Sequence, residues 1–212
     1  MKQRHAVELQ ESELRWRFAV DGSGDGLWDW NVPQSTVFFN LRWKEMLGFA
    51  ENEIGNGLDE WSKRIHPDDL VQVMADVRAH LAGTTLRYVN EHRVSCKDDS
   101  WKWILDRGML VERDAADHPL RMIGTHSDIT ERKRAEETVR SAFQYARSLV
   151  ESILDPLVMI SAEGKITDVN TAMENVTGVN RDNLIGSEFA DYFTRHYPKP
   201  IDIIQSMIIM FY

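Results

Sequence analysis

Gly124-Thr125-His126-Ser127-Asp128-Ile129-Thr130-Glu131-Arg132-Lys133-Arg134-Ala135-Glu136-Glu137 is where a short β-type run stops and a charged helix begins. From Arg121 to Ile129, Ile123, Thr125 and Ile129 fall on one parity, as a half-buried strand requires. Asp128 and Thr130 then supply side-chain oxygens for the orphan N–H groups of a helix start, and Glu131 suits the positive end of the helix dipole. Strand and helix are therefore joined with almost no slack. Everything before this junction reads as one packed domain, and everything after it as a helix leading into the start of a second.

Working back towards the N-terminus, Leu120 to Ile129 is preceded by two more strand candidates, Leu86 to Val94 and Trp101 to Val111, separated by polar turns with Asp pairs. Before them His66-Pro67-Asp68-Asp69 opens a helix with proline near its first position and two acids in its first turn. Leu70, Val73, Met74, Val77 and Leu81 form its apolar stripe and Gly83 ends it. A shorter helix follows Asn40, a capping residue, and carries Trp43, Met46 and Leu47 up to Gly48. Leu27 to Val32 and Thr36 to Asn40, turned by Pro33-Gln34-Ser35, make a hairpin with Trp28 and Trp30 on one face. Lys2 to Val20 reads as an amphipathic helix through Ala6, Leu9, Trp16 and Val20, interrupted at Glu13. The glycines of Asp21 to Gly26 are not a phosphate loop, since no strand precedes them and no Gly-Lys-Ser/Thr follows. Two strands, several helices and a three-strand meander can close one five-stranded antiparallel sheet with helices on one face, an α+β class.

The chain has 212 residues, 42% hydrophobic and 28% charged, with a net charge of −9. That balance makes nucleic acid an unsuitable main partner, because no excess of Lys and Arg exists to neutralise phosphates. A single cysteine, Cys96, rules out an internal disulfide framework and fits a reducing compartment. The first 20 residues are too polar for a signal peptide, and no apolar run reaches the roughly 18 to 20 residues of a membrane span. A cytoplasmic location is expected.

Several blocks, in order, carry a family resemblance: Gly26-Leu27-Trp28-Asp29-Trp30-Asn31, Phe39 to Gly48, Ile65-His66-Pro67-Asp68-Asp69, Tyr88 to Arg93, Trp101 to Gly108, and Asp128-Ile129-Thr130 followed by Glu131 to Glu137. Together they resemble the PAS sensory domains of bacterial signalling proteins, the last block being similar to their C-terminal PAC motif. The resemblance covers about Glu13 to Glu137. It implies the PAS fold, a pocket between sheet and helices, and a role for Asp128, Ile129 and Thr130 in passing a signal from the last strand to the helix. Trp30, Trp43, Tyr88 and Trp103 are the aromatic candidates for the pocket, against the plainer reading that the tryptophans are core packing. The cofactor stays open between a non-covalent flavin and a small metabolite. Haem is disfavoured, since His80 beside the apolar stripe is the one candidate axial ligand. The photoreceptor-type flavin bond is not expected, because Cys96 sits in a turn as Ser95-Cys96-Lys97.

Beyond the junction, Ala135, Val139, Ala142, Ala146, Leu149 and Ile153 recur at spacings of 4, 3, 4, 3 and 4, a heptad seam on a helix from Thr130 to Leu154. It reads either as packed on its own sheet or, as the persistence of the seam favours, as paired with a second copy. Asp155 to Asn170 resembles the opening of another PAS domain, an internal repeat. Only 34 residues follow Gly178, against about 80 between Gly48 and the junction, so the repeat is expected to lack its last three strands. The resemblance fades after Phe193-Thr194, and Ile201 to Tyr212 is apolar and β-prone. A prematurely ended gene product is one expectation from this.

The expected organisation is an N-terminal helix over residues 1–20, a PAS domain over 21–130, a linker helix over 131–154 and a truncated PAS domain over 155–212. No nucleophile elbow, metal-ligand spacing, kinase phosphoacceptor or cyclase motif is present, so neither catalytic nor metal residues are expected. The expected function is a sensory module that detects a small ligand or other cue in the pocket and signals through the Asp128-Ile129-Thr130 junction to a dimerising helix, as a fragment or regulatory part of a bacterial signalling protein of the cyclic-di-GMP-enzyme or sensor-kinase type whose effector domain lies outside the chain. The alternative is a ligand-free interaction domain.

Overall fold

In the computed structural model, residue 22 and residues 24–190 and 208–211 are described; the expected helix over Lys2 to Val20 lies outside them. The chain divides into two compact units between Ala135 and Glu136.

The first unit is built on strands β1 (Gly26–Asn31), β2 (Thr36–Phe39), β3 (Tyr88–Ser95), β4 (Trp101–Arg113) and β5 (Pro119–Asp128), in the order β2-β1-β5-β4-β3. Every neighbouring pair is antiparallel. The first strand to form a hairpin thus ends up beside the last, and β5 lies mid-sheet with both of its edges paired. Helices α1 (Leu41–Met46), α2 (Asp59–Ser62) and α3 (Pro67–Leu81) fill the stretch between β2 and β3.

Local chemistry explains the joints. Asn40 Oδ1 accepts the Trp43 N–H at 2.9 Å, capping α1, and also the Leu27 N–H at 2.9 Å, so one side chain fixes the helix start to β1. Asp69, in the first turn of α3, takes three donors from Arg93 on β3: its backbone N–H, Nε and Nη2. This forked pair holds the Asp69 carboxyl below the usual range despite partial burial. At the far end of α3, His80 is buried with both ring nitrogens engaged. Nε2 accepts the Leu110 N–H at 3.0 Å and Nδ1 faces the Thr85 carbonyl and hydroxyl.

The core lies between sheet and helices, with Trp43, Leu47, Val73, Val94, Ile104 and Met122 almost fully buried. Gly124 is required here by close approach. A Cβ on it would stand 2.1 Å from the Arg107 carbonyl oxygen and 2.2 Å from Trp28 Cζ2, so the Trp28 indole packs directly against the bare backbone of β5.

Helix α4 (Thr130–Ser152) starts two residues after β5, and its 23 residues make a rod of about 34 Å. None of them is buried, and Val139, Phe143, Tyr145 and Leu149 are exposed.

The second unit continues with β6 (Leu157–Ile160), β7 (Ile166–Val169), α5 (Thr171–Thr177), α6 (Arg181–Leu184) and β8 (Ile208–Phe211). It repeats the first joint: Asn170 Oδ1 accepts the Met173 and Leu157 N–H groups, as Asn40 does from Trp43 and Leu27. The sheet order is β7-β6-β8, with β8 parallel to β6. In the first unit the corresponding neighbour of β1 is the antiparallel β5. A C-terminal strand therefore pairs with the edge of β6 with reversed polarity, where the sequence alone leaves that edge without a partner. No helix among the described residues is long and apolar enough to cross a membrane.

Candidate functional site

The inward face of β3, β4 and β5 carries the even-numbered residues: Tyr88, Asn90 and His92; Ile104 and Asp106; Met122 and His126. Side chains alternate along a strand, so four polar groups share a face with core residues, three of them buried. His92 and His126 are 0% and 1% exposed, and Asp106 is 2% exposed.

Asp106 and His126 are bonded to each other and to two tryptophans in one network, and His92 pairs separately with Asn90. Asp106 Oδ1 accepts the Trp28 Nε1–H at 2.9 Å, and its Oδ2 lies 3.1 Å from His126 Nε2. Trp43 Nε1–H donates to His126 Nδ1 at 2.9 Å, so that nitrogen carries no proton and Nε2 donates to the carboxylate. His92 Nδ1 lies 3.0 Å from Asn90 Oδ1. Burial pushes the His92 imidazole down to about 4, against the pull of Asp106, so it is neutral at physiological pH. Burial and the Asp106 charge push the Tyr88 phenol up.

Beside this network is a cavity of about 30 Å³, lined among others by Trp28, Trp30, Trp61, Tyr88, Asp106 and His126. That is space for no more than a few water molecules. Four buried polar atoms have no hydrogen-bond partner among the described residues: Trp30 Nε1, Trp61 Nε1, Tyr88 Oη and His92 Nε2. The first three belong to residues lining the cavity, and the His92 ring stands 6.0 Å from that of Trp61.

Of the residues expected at a pocket, Trp30 and Tyr88 line the cavity. Trp43 stands behind its wall, bonded to His126. Trp103 is not brought to it. Its neighbours Ile104 and Asp106 take the inward parity, so Trp103 projects from the outer face, where Arg93 and Lys133 sit over its ring at 5.4 and 5.0 Å. His80 is committed to Leu110 and Thr85 and does not line the cavity. Cys96 is buried just beyond β3, and burial pushes its thiol up. Trp28, Trp61, His92, Asp106 and His126 are the residues that sequence reasoning misses; for the four on strands, shared parity with Tyr88, Ile104 and Met122 is the signal that could have found them, while Trp61 comes from helix α2. No metal-ligand spacing is visible in the sequence, yet His92, Asp106 and His126 each offer a ligand atom within 4.8 Å of the others.

The junction residues follow His126 at the C-terminal end of β5. Asp128 Oδ1 accepts the Thr130 N–H at 2.9 Å, and its Oδ2 pairs with Lys102 Nζ at 2.8 Å. Burial works against this carboxylate, but Lys102 and Thr130 outweigh it and hold the group below its usual range. The Ile129 N–H donates to the Trp103 carbonyl at 2.9 Å, while Thr130 Oγ1 accepts the Trp103 N–H at 3.0 Å. Glu91 on β3 pairs with Arg132 and Lys133 in the first turn of α4.

Fold and motifs agree with known proteins. Two family profiles described as PAS fold match residues 36–126 and 144–206. A crystal structure of a sensory box histidine kinase/response regulator from Burkholderia thailandensis is 33% identical, with a TM-score of 0.57; the match covers 63% of this chain and 98% of that one. Sensor protein FixL of Bradyrhizobium diazoefficiens is 25% identical over 171 residues, 81% of this chain and 33% of that protein. Two-component sensor PprA of Pseudomonas aeruginosa is 23% identical over 192 residues, 89% of this chain and 20% of that protein. The chain belongs to the PAS family of sensory domains, with a PAS match in each unit. It spans a third or less of these curated relatives' length. The second profile runs to residue 206, past the point near Thr194 where the sequence alone loses the resemblance.

Proposed function

We propose that the first unit is a sensor whose inner cavity responds to a small ligand, and that β5 passes the response to α4, which pairs two copies of the chain. The observation that carries this reading is the economy of β5. His126, on the cavity wall, is four residues from Thr130, and both Asp128 and Thr130 are bonded across to β4 at Lys102 and Trp103. A displacement of β5 at the cavity therefore has a stiff path to the helix start. Since a ligand biases two states only by its differential affinity, a coupling of about 1–3 kcal/mol is the expected scale.

Pairing through α4 is supported by its exposed seam. Val139 and Leu149 lie on the heptad positions with Ala142 and Ala146 between them, and Phe143 and Tyr145 flank the stripe, a surface that a second copy would cover. The likeness to the sensory box histidine kinase/response regulator supports an effector domain of the sensor-kinase type as the recipient.

Native mass tests the pairing. The expected value is twice 24.6 kDa, falling to one copy on Val139→Glu with Leu149→Glu. A wild-type monomer at tens of micromolar would overturn it. Nitroxides at Gln144 of two copies test the coupling: Asp128→Ala with Thr130→Ala should broaden the inter-copy distance while leaving the near-ultraviolet circular dichroism of the first unit unchanged. The second reading, a ligand-free interaction domain, is favoured by the small cavity, and a purified chain yielding no extractable organic molecule or ion would support it.

A further inference from the structure

The inward face of the sheet offers more ligating capacity than the protein itself uses. His92, Asp106 and His126 come from three adjacent strands, are all almost fully buried, and offer ligand atoms within 4.8 Å of one another. Asn90 Oδ1 accepts from His92 Nδ1, which directs the lone pair of Nε2 inward, and Nε2 has no partner. A ligating histidine has this arrangement: one ring nitrogen held by a neighbour, the other free. The large majority of buried side-chain polar atoms have a partner, so an imidazole nitrogen left without one is unusual for a histidine merely packed in a core. Asp106 is 2% exposed, and the hydrogen bonds described at its carboxyl come from the Trp28 indole and the His126 ring, with no Lys or Arg among them.

We propose that His92 Nε2, His126 Nε2 and an Asp106 carboxylate oxygen bind one divalent d-block cation, with an open coordination position towards the inner cavity. Two imidazoles and one carboxylate suit zinc, iron(II), cobalt or nickel rather than calcium or magnesium, which prefer all-oxygen sets. With metal–ligand bonds of about 2.0–2.2 Å, ligand atoms in a tetrahedral site stand roughly 3.4 Å apart. His126 Nε2 and Asp106 Oδ2 already satisfy this at 3.1 Å, so His92 makes most of the adjustment. Three protein ligands leave a fourth position for water or a small anion. Trp30 Nε1, Trp61 Nε1 and Tyr88 Oη, the other three buried polar atoms without a partner, surround the cavity on that side and can donate to such an acceptor.

Binding has a structural consequence that rests on the sensory reading above. A metal at His126 Nε2 displaces the proton there, and the neutral imidazole then carries its proton on Nδ1. That proton faces Trp43 Nε1–H, which is also a donor. The two cannot share one hydrogen bond, so the Trp43 indole must give up its partner. Trp43 stands on α1 and stacks against Phe39 of β2 at 4.1 Å, so loading repacks the helical side while drawing on β5, the strand that leads into α4.

The test uses the full chain, stripped with chelator and titrated with Zn²⁺ or Co²⁺ alone. Expected are one equivalent of metal per chain after dialysis, ligand-field absorption from cobalt, and a tryptophan fluorescence change that Trp43→Phe removes without removing the metal. His92→Gln and Asp106→Asn should weaken binding at least about 100-fold and Asn90→Ala about 10–100-fold, while His118→Gln, on an exposed turn, should have no effect. Absence of stoichiometric metal in the folded wild-type chain, or binding indifferent to His92→Gln, overturns the proposal. Should the variants fail to fold, X-ray absorption of the zinc-loaded wild type decides, two imidazoles supporting the site and none refuting it. Metal that binds without changing the Gln144 distance leaves the site standing and refutes the sensory role. An organic ligand that changes that distance in a chain binding no metal does the reverse.

Discussion

The backbone N–H of Trp103 donates to the hydroxyl of Thr130 at 3.0 Å, and the Trp103 carbonyl takes the N–H of Ile129 at 2.9 Å. One residue of β4 thus holds both sides of the turn from β5 into α4. Thr130→Val keeps the shape and removes the acceptor, leaving the Trp103 N–H partly buried with no partner, at a cost of about 1–3 kcal/mol. Amide exchange at Trp103 and in the first turn of α4 should speed up by tenfold or more, and Thr130→Ser should restore it. Unchanged exchange in the valine variant would mean that the hydroxyl does not hold the junction.

Gly124 gives a sharper outcome. The contacts a Cβ would make include the Arg107 carbonyl oxygen, which is backbone and paired in the sheet, so relaxation must move a strand or eject Trp28. Gly124→Ala should cost more than about 3 kcal/mol, at the top of the overpacking range. Denaturant melts of the first unit read this directly. A loss below about 1 kcal/mol would show that Trp28 moves off β5 at little cost, and with it the donor to Asp106.

Much of this fold is visible in the sequence because its joints are local. Asn40 lies three residues before its cap partner Trp43, Pro67-Asp68-Asp69 marks the start of α3, and Asp128 reaches two residues to Thr130. The order of the blocks then supplies the sheet, since β1 and β5 pair only if the whole meander is placed. The site resists the same approach. Asp106 and His126 are separated by a turn and meet only through register, and a tryptophan attracts assignment to a pocket whichever way it points. Trp103 is the instructive case: its side chain and the cavity are on opposite faces of β4, a difference of one residue in parity that aromatic content does not reveal. Glu91 with Arg132 and Lys133 is likewise an encounter across about 40 residues that charge pattern alone reads as a solvated helix face.

The two asparagines make a paired prediction. Asn40 and Asn170 each accept two backbone N–H groups, and Asn170 Nδ2 also donates to the Ile153 and Asp155 carbonyls at 3.0 Å. Replacing either with Ala removes a cap and leaves a strand N–H without its partner, about 1–2 kcal/mol for the cap alone and more with the second bond. Asn40→Ala should lower the protection of amides in the first unit and Asn170→Ala in the second. The larger loss is expected for Asn170→Ala, whose side chain makes four bonds. Equal and small losses at both would refute the shared joint.

Acid should loosen the end of α4 from the strands and helices that follow it within the second unit. Glu151 Oε2 accepts the Thr171 N–H and hydroxyl, both at 2.7 Å, and its Oε1 pairs with Arg147 on its own helix and faces Arg181 of α6 at 3.6 Å. Asp168 on β7, paired with both arginines, completes the set of charged groups around it. Burial opposes the Glu151 charge, but the Thr171 bonds and Arg147 outweigh it, so the folded carboxyl lies below the ordinary value near 4.5. A carboxyl lowered on folding binds its proton more readily in the unfolded chain. Its stabilisation is therefore fully present above about pH 4.5 and fades as pH falls through the lower folded value. Glu151→Gln should be less stable than wild type at pH 7, by about 1 kcal/mol for a partly exposed pair, and the two should converge towards pH 3. Thermal melts of both proteins across that range read the difference, and parallel curves that never converge would assign the effect of the substitution to packing rather than to charge.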